Sequence, residues 1–205
     1  MKKKVQDLST EEKIKEAARK IFTKKGYAAT RTRDIAEESG INLALLNYYF
    51  RSKEKLFELV MLENFGAFIS NVKELVNNTE TSLEQKIENI VEFYINQLLV
   101  NPDLPLFVMN EIRSNSKLLK TKINKDIFLK SHFIQQLSAQ LKKQGKGDVN
   151  PVHYLMNVLG MTIMPFIIGP LIIEIGMLKP QEFEKAMMER KKLIPIWIKT
   201  LLQLK

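Results

Sequence analysis

The sequence contains no cysteine and has only two histidines, His132 and His153, in 205 residues. Disulfide bonds and thiolate metal sites are therefore excluded, and the chain is compatible with the reducing cytoplasm, where we expect it to act. It also lacks a Gly-rich phosphate loop, a His-x-x-x-His pair and the Ser-His-Asp order of a hydrolase. These absences favour a protein without enzymatic activity, metal ion or cofactor.

Strand patterns of period two, internal repeats and low-complexity tracts are also missing, whereas helix signals run along the chain. One example is the capping box formed by Ser82 and Gln85. Together these patterns predict an all-α protein of about nine helices. They include one helix near residues 121–144 and a last helix that kinks or restarts at Pro195.

Residues 9 to 50 have the pattern of three helices that share a small core. The first helix carries apolar residues at the i, i+3, i+4, i+7 and i+8 positions, and Gly26 is suited to end it. The second helix contributes a predicted inward pair, Ile35 and Ala36. The predicted core positions of the first helix are Ile14, Ala17, Ala18, Ile21 and Phe22.

A sharp turn at Gly40 separates the second helix from the third, the layout of a helix-turn-helix. Asn42 is a good N-cap for the third helix, and Leu46 and Phe50, four residues apart, can pack inward. The opposite face carries Leu43, Ala44, Asn47 and Tyr48. An amide and a phenol together suit contact with base edges and phosphates, although an ordinary helical hairpin with a solvated face has the same spacing.

These elements resemble the DNA-binding domain of the TetR/AcrR family of bacterial transcriptional regulators. The similarity covers about the first quarter of the chain and is specific, because many fixed spacings agree at once. The matching segments are Gly-Tyr-Ala-Ala-Thr at 26–30, Arg-Asp-Ile-Ala at 33–36, Gly40, Asn-Tyr-Tyr-Phe at 47–50 and Ser-Lys-Glu-Lys-Leu at 52–56.

The chain departs from the family pattern at several positions. Arg31 stands where the family usually has a Ser or Thr N-cap, and we expect Thr30 to cap the second helix instead. Thr32 replaces a common Val, and Asn47 stands where Tyr is frequent. Leu43 and Ala44 replace a frequent Lys and Gly.

The resemblance implies a helix-turn-helix DNA-binding domain in residues 1–52 and an all-helical effector-binding and dimerisation domain in residues 53–205. It implies double-stranded DNA as a partner. The candidate DNA-binding residues are Thr30, Arg31, Arg33, Asn42, Leu43, Ala44, Asn47, Tyr48, Tyr49 and Lys53.

Positive charge is concentrated in the same part of the chain. Residues 1–55 contain 14 Lys and Arg against 8 Asp and Glu, so this quarter holds +6 of the formal net charge of +9. Phosphate binding favours such a bias. A merely solubilising basic surface would have the same composition.

The run 158–173 contains no charged residue. A membrane span is the alternative, but the run is shorter than the ~20 residues that a bilayer requires, and Pro165, Gly169 and Pro170 are expected to interrupt it. We expect this segment to be buried in a homodimer, and the family resemblance implies a four-helix interface built by the last two helices. The candidate interface residues are Val158, Ile163, Ile167, Leu171, Leu193, Ile196, Trp197 and Leu201.

The resemblance also implies an effector cavity among the middle helices. A few polar groups among Met and aromatic side chains suit a mostly apolar small molecule. Each polar residue, taken separately, is better explained by capping, solvent exposure or an interfacial hydrogen bond. The candidates are Phe107, Asn110, Glu111, Arg113, His153, Asn157 and Thr162.

The sequence therefore predicts a homodimeric, ligand-responsive DNA-binding regulator that does not span a membrane. A repressor that binds a pseudo-palindromic operator and is released by a small, mostly apolar effector fits best. The alternative is an effector-independent DNA-binding architectural or protein-interaction factor on the same fold.

Overall fold

The computed structural model describes residues 9–113 and 126–204 of the chain. Within these residues all regular structure is α-helical, which confirms the predicted fold class. The described helices are α1 (Thr10–Ala29), α2 (Thr32–Ser39), α3 (Leu43–Phe50), α4 (Lys53–Asn77), α5 (Leu83–Val100), α6 (Leu104–Arg113), α7 (Asp126–Leu129), α8 (His132–Lys143), α9 (Val152–Glu174) and α10 (Pro180–Leu201).

The chain forms two compact units, Met1–Phe65 and Gly66–Lys205, and the division falls inside α4. The domain boundary between residues 52 and 53 stays a prediction.

The first unit is built around the apolar faces of α1, α2 and α3 and the beginning of α4. All the predicted core positions of α1 are buried, as are the inward pairs of α2 and α3. Leu56 and Val60 of α4 complete the cluster. Fully burying a side chain of this size stabilises the fold by roughly 1.5–3 kcal/mol. The structure therefore confirms the predicted three-helix core.

Two glycines set the ends of these helices. Gly26 has φ 71°, which ends the regular part of α1, and Gly40 has φ 68° at the turn between α2 and α3. Both lie in the left-handed region that glycine adopts without strain. The Gly40 N–H also donates to the carbonyl of Glu37 at 3.1 Å, so the turn closes the last backbone groups of α2.

Helix α5 lies at the centre of the second unit, where it packs against α8, α9 and α10. Its predicted capping box is present. The Gln85 N–H donates to the Ser82 hydroxyl at 3.2 Å, and the Gln85 side chain accepts from the Ser82 N–H at 3.0 Å. The apolar stripe of α5 is buried from Leu83 to Leu98, as its helical spacing predicts.

Lys86 on α5 is a buried cation that the sequence pattern does not indicate. Its side chain is 1% exposed, and its Nζ donates to Thr81 Oγ1 at 2.7 Å and to the carbonyls of Leu75 and Asn78. Burial lowers the pKa of this ammonium group. These three donor contacts compensate for its desolvation and hold the connection between α4 and α5.

The prediction of a single helix near residues 121–144 is wrong. Helix α7 ends at Leu129, α8 begins at His132, and residues 121–125 lie outside the described residues. The buried Ser131 explains the interruption. Its hydroxyl donates to the Phe128 carbonyl at 2.6 Å and accepts from the Ile134 N–H at 3.3 Å, so one side chain closes α7 and caps α8.

The prolines of the last two helices do not interrupt them. Helix α9 continues through Pro165 and Pro170, and α10 does not restart at Pro195. A proline inside a helix leaves the carbonyl four residues earlier without its usual donor. For Pro165 that carbonyl belongs to Met161, and Nη2 of Arg190 on α10 donates to it at 2.8 Å. The neighbouring helix therefore supplies the missing hydrogen bond.

Because α9 is continuous, two of the arguments against a membrane span are wrong. Val152–Glu174 has 23 residues and a mean hydropathy of 1.9 over its most apolar 18-residue window, so its length and composition are sufficient to cross a bilayer. Only 22% of that window is buried within the chain. Much of the apolar surface of α9 is therefore not buried.

Arg190→Ala should lower the free energy of unfolding by about 1–3 kcal/mol, because the Met161 carbonyl loses its donor. In a Pro165→Ala background, the restored N–H at residue 165 can donate to the Met161 carbonyl. Arg190→Ala should then lower the free energy of unfolding by a smaller amount. Urea unfolding of the parent protein, the two single variants and the double variant, all at one protein concentration, measures the coupling between residues 165 and 190.

Lys192→Ala is the matched control, since Lys192 is an exposed cation on the same helix, and it should change stability by less than about 0.5 kcal/mol. An equal cost of Arg190→Ala with and without Pro165 would show that Arg190 does not replace the missing helix bond.

Candidate nucleic-acid interface

Helix α3 presents an uncharged and mostly uncovered surface. Leu46 and Phe50 are buried, and every other residue of the helix is exposed. The Asn42 side-chain oxygen accepts from the Leu45 N–H at 2.8 Å, which confirms the predicted N-cap. The exposed candidates of α3 are Leu43, Ala44, Asn47, Tyr48 and Tyr49. Tyr48 is the most open of its large side chains, at 79% exposed.

Leu45 is an additional residue on this surface. It is 37% exposed, and at about 100° per residue it lies next to Tyr48 on the side of the helix away from Leu46 and Phe50. The sequence pattern alone assigns Leu45 to neither face, since it adjoins the buried Leu46 in the chain. A full helical projection from the buried pair would have included it.

Tyr48 and Tyr49 support each other at the exposed end of α3. Their rings meet edge to face, with centroids 5.6 Å apart and planes at 88°. This geometry is favoured for aromatic pairs and limits the freedom of two exposed side chains. The pair therefore forms an ordered edge of the α3 surface.

The start of α2 is capped by Asp34 rather than by the residue before the helix. The Arg31 N–H donates to Asp34 Oδ2 at 3.0 Å, and Lys25 Nζ pairs with the same oxygen at 3.0 Å. The backbone hydrogen bond first, and Lys25 second, lower the pKa of Asp34. The stability that this carboxylate contributes is present at neutral pH and is lost as the pH falls through its lowered pKa.

The prediction that Thr30 caps α2 is wrong. Thr30 is 2% exposed, and its hydroxyl donates to the Gly26 carbonyl at 2.7 Å at the end of α1. Its side chain is therefore held inside the protein and does not form part of the exposed surface.

The formal charge of the first unit overstates the charge available to a ligand. Lys15 and Arg19 both pair with Glu63, each at 2.9 Å. Lys20 pairs with Glu38. In contrast, Arg33 in the first turn of α2 and Arg51 directly after α3 are exposed and make no ion pair with a described residue. These two guanidinium groups are the clearest candidates for phosphate contact.

Lys53 has a structural role that differs from the predicted phosphate contact. Its Nζ donates to the carbonyls of Tyr27 and Thr30, both at 3.0 Å, and lies 4.2 Å from the centroid of the Tyr27 ring. An ammonium group has three donors, so two are used inside the protein. Lys53 thus connects the start of α4 with the end of α1.

The structure does not gather the predicted effector-binding side chains into one buried site. Phe107 is buried, and the side chain of Glu111 lies outside the described residues. Thr162 is buried, but its hydroxyl donates within its own helix, to the Val158 carbonyl at 2.7 Å. The exposed candidates are Asn110, Arg113, His153 and Asn157. Within the part of the chain that the structure describes, no group of three or more acidic or histidine side chains could hold a metal ion.

The predicted dimer residues lie on the surface with one exception. Val158 is 0% exposed within its own chain, so its side chain belongs to the core, and its assignment to an interface is wrong. Ile163 and Ile167 are half-buried. The exposed members are Leu171, Leu193, Ile196, Trp197 and Leu201. The Arg190 guanidinium lies 5.4 Å from the Trp197 ring centroid and so helps to orient that ring.

Known proteins resemble both the N-terminal helices and the whole chain. Residues 14–60, from α1 into α4, match the family model of bacterial regulatory proteins, tetR family. The probable HTH-type transcriptional regulator YttP of Bacillus subtilis (strain 168) is 25% identical over 197 residues, 94% of each chain. A TetR/AcrR-family transcriptional regulator from Thermobifida fusca has the same fold, with a TM-score of 0.59 and 20% identity over 90% of this chain and 96% of that one.

A further solved structure has the same fold. It is the transcriptional regulator FadR from Bacillus subtilis, determined in complex with stearoyl-CoA. Its TM-score is 0.52, with 17% identity over 89% of this chain and 96% of that chain.

Lys53→Ala should weaken binding to every duplex by a similar factor and should also lower the thermal stability, because two carbonyls at the end of α1 lose their donor. We expect a loss of about 1–3 kcal/mol in unfolding free energy. Fluorescence anisotropy with a selected and an unrelated duplex, together with thermal unfolding, measures both effects.

Lys24→Ala is the control, because Lys24 is an exposed cation near the same end of α1 and should leave the unfolding temperature unchanged. If Lys53→Ala also left stability unchanged while DNA binding weakened, Lys53 would be a phosphate contact without a structural role.

Proposed function

Because the chain belongs to the TetR family of bacterial transcriptional regulators, we propose that it represses transcription by binding a pseudo-palindromic operator as a homodimer. A small, mostly apolar effector releases it from DNA. The observation that carries the proposal is α3, a capped helix of eight residues whose surface beyond Leu46 and Phe50 is open. A helix of this size fits the major groove of a duplex.

The charge and chemistry around α3 support DNA as the partner. Arg33 and Arg51 offer guanidinium groups to phosphates, whereas Asn47 can pair with the edge of adenine. Phosphate contacts release counterions, so affinity should fall steeply as salt rises. We assign the DNA surface to Arg31, Arg33, Leu43, Ala44, Asn47, Tyr48, Tyr49 and Arg51, with Asn42 as the cap that orients α3.

The uncovered apolar surface of α9 and α10 supports a homodimer. Leu171 of α9 is 57% exposed, and Ile196 of α10 is 53% exposed. Exposed apolar side chains on two helices that pack against each other are characteristic of an interaction site. A second copy of the same two helices would cover it through one two-fold axis, and the same axis would place two α3 helices on successive major grooves, about 34–36 Å apart. This arrangement also explains the apolar character of α9 without a membrane.

Release by an effector requires two states of the dimer that bind DNA differently. A ligand shifts such an equilibrium only by the difference between its affinities for the two states, and a coupling of about 1–3 kcal/mol is typical. The apolar character of the effector is inferred from the composition of the middle helices, where Met and aromatic side chains are frequent. Phe68 packs against Phe93 at 5.2 Å and against Tyr94 at 4.9 Å between ring centroids.

The alternative is an effector-independent DNA-binding factor, and effector titration separates the two proposals. A panel of long-chain acyl compounds and other apolar molecules, added to the protein–duplex complex, should contain members that weaken binding about 5–150-fold. The dimer purified from its own cells, denatured and analysed by mass spectrometry, is a second source of candidates. If no member of the panel weakens DNA binding and no compound co-purifies with the protein, the effector-independent factor is favoured.

Dimerisation and operator binding should fail together. Ile196→Asp places an unpaired carboxylate in the proposed interface and should weaken dimerisation by several kcal/mol, on the order of 3–5. Light scattering should show monomer or aggregate, and affinity for a palindromic duplex should fall towards the non-specific level.

Ile112→Asp is the matched control, because Ile112 is an apolar residue of α6 that is 61% exposed and lies outside the proposed interface. It should leave the dimer and its DNA binding intact. A parent protein that is monomeric at micromolar concentration yet binds a palindrome tightly would contradict the dimer proposal. Partitioning of the parent protein into lipid vesicles would instead assign the surface of α9 to a membrane.

A further inference from the structure

The surface of α3 offers no cation to a base. The stretch from Asn42 to Phe50 has no charged residue, and the nearest cation after it is Arg51. In the major groove, guanine presents two acceptors, N7 and O6, which are recognised best by the paired donors of Arg or Lys. The middle of α3 therefore lacks the side chains that select guanine.

The same surface has the groups that select an A·T pair. Adenine presents an acceptor and a donor, which a single amide matches, and thymine presents an acceptor and a 5-methyl group. The amide of Asn47 is exposed and makes no hydrogen bond to any residue that the structure describes. It is therefore available to pair with the N6 and N7 edge of adenine.

The hydrocarbon side chains in the first turn of α3 point to the thymine methyl. Leu43 is 36% exposed and Leu45 is 37% exposed, and Ala44 lies between them on the surface. Leu45 lies beside Tyr48, on the side of α3 farthest from its buried residues. Such apolar side chains gain nothing from phosphates or water, whereas contact with a 5-methyl group removes hydrocarbon of both partners from water.

We propose that α3 recognises A·T pairs, with Leu45 recognising a thymine 5-methyl group on one side of the helix and Asn47 recognising adenine on the other. This inference rests on the proposed function, since it assumes that α3 enters the major groove. It makes Leu45 a specificity-determining residue. Guanines, if the operator contains them, are recognised by residues outside α3.

The test uses the full-length protein and a duplex that it selects from a random-sequence pool. Each thymine of the duplex is replaced in turn by deoxyuridine, which removes only the 5-methyl group. At one or more positions the parent protein should lose about fourfold in affinity, the value expected for one buried methyl group. Leu45→Ala should bind the thymine and uracil duplexes equally at those positions.

Leu59→Ala is the matched control. Leu59 is a leucine of the same compact unit, 42% exposed on α4, and its replacement should leave the fourfold discrimination unchanged. Binding to an unrelated duplex and thermal unfolding should show that Leu45→Ala is folded and keeps its non-specific affinity.

A second arm tests the amide with the base analogue 7-deazaadenine, which lacks N7. Its introduction should weaken binding of the parent about three- to tenfold at one position, and Asn47→Ala should be insensitive there. The parent protein should distinguish thymine from deoxyuridine at one position at least where Leu45→Ala does not. If no such position exists, the inference is overturned. If the protein selects no preferred duplex at all, the proposed function itself fails, so the two failures are distinguishable.

Discussion

The packing of Leu46 and Phe50 into the core of the first unit is the contact on which the rest of the DNA surface depends. Both side chains lie on one side of α3 and are buried against the cluster formed by α1, α2 and the start of α4. Their burial fixes the rotation of α3 about its own axis. A rotation by one residue would turn Leu45 inward and an apolar core residue outward, so the core determines which chemistry faces a ligand.

Three long cationic side chains donate hydrogen bonds to backbone carbonyls that lack a donor within their own helix. Lys53 donates to carbonyls at the end of α1, Lys86 donates to carbonyls at the end of α4, and Arg190 donates to one that a proline leaves free inside α9. Each places a positive charge where unpaired carbonyls give the backbone a partial negative charge. Part of the basic composition is therefore structural, and net charge by itself overstates the affinity of this protein for phosphate.

What could be predicted from the sequence depends on how far apart the interacting residues are. The caps formed by Asn42 and Ser82 need only neighbours three residues away, so sequence spacing identified them. Lys53 acts on backbone atoms 23 and 26 residues earlier, and Arg190 acts on one 29 residues earlier, so no local pattern indicates them. The predicted effector-binding residues are not gathered into one buried site for the same reason, because sequence spacing does not report which distant side chains converge. Of the exposed α3 surface, only Leu45 was absent from the sequence prediction.

Arg51 occupies a position where stability and affinity oppose each other. It has φ 55° and ψ −36° directly after α3, a sparsely populated region that residues other than glycine enter at a cost of about 1–3 kcal/mol. Glycine at this position would relax the backbone, yet it would remove an exposed guanidinium from the edge of the α3 surface. Selection for heat tolerance and selection for tight occupancy of a promoter would therefore drive this one codon in opposite directions.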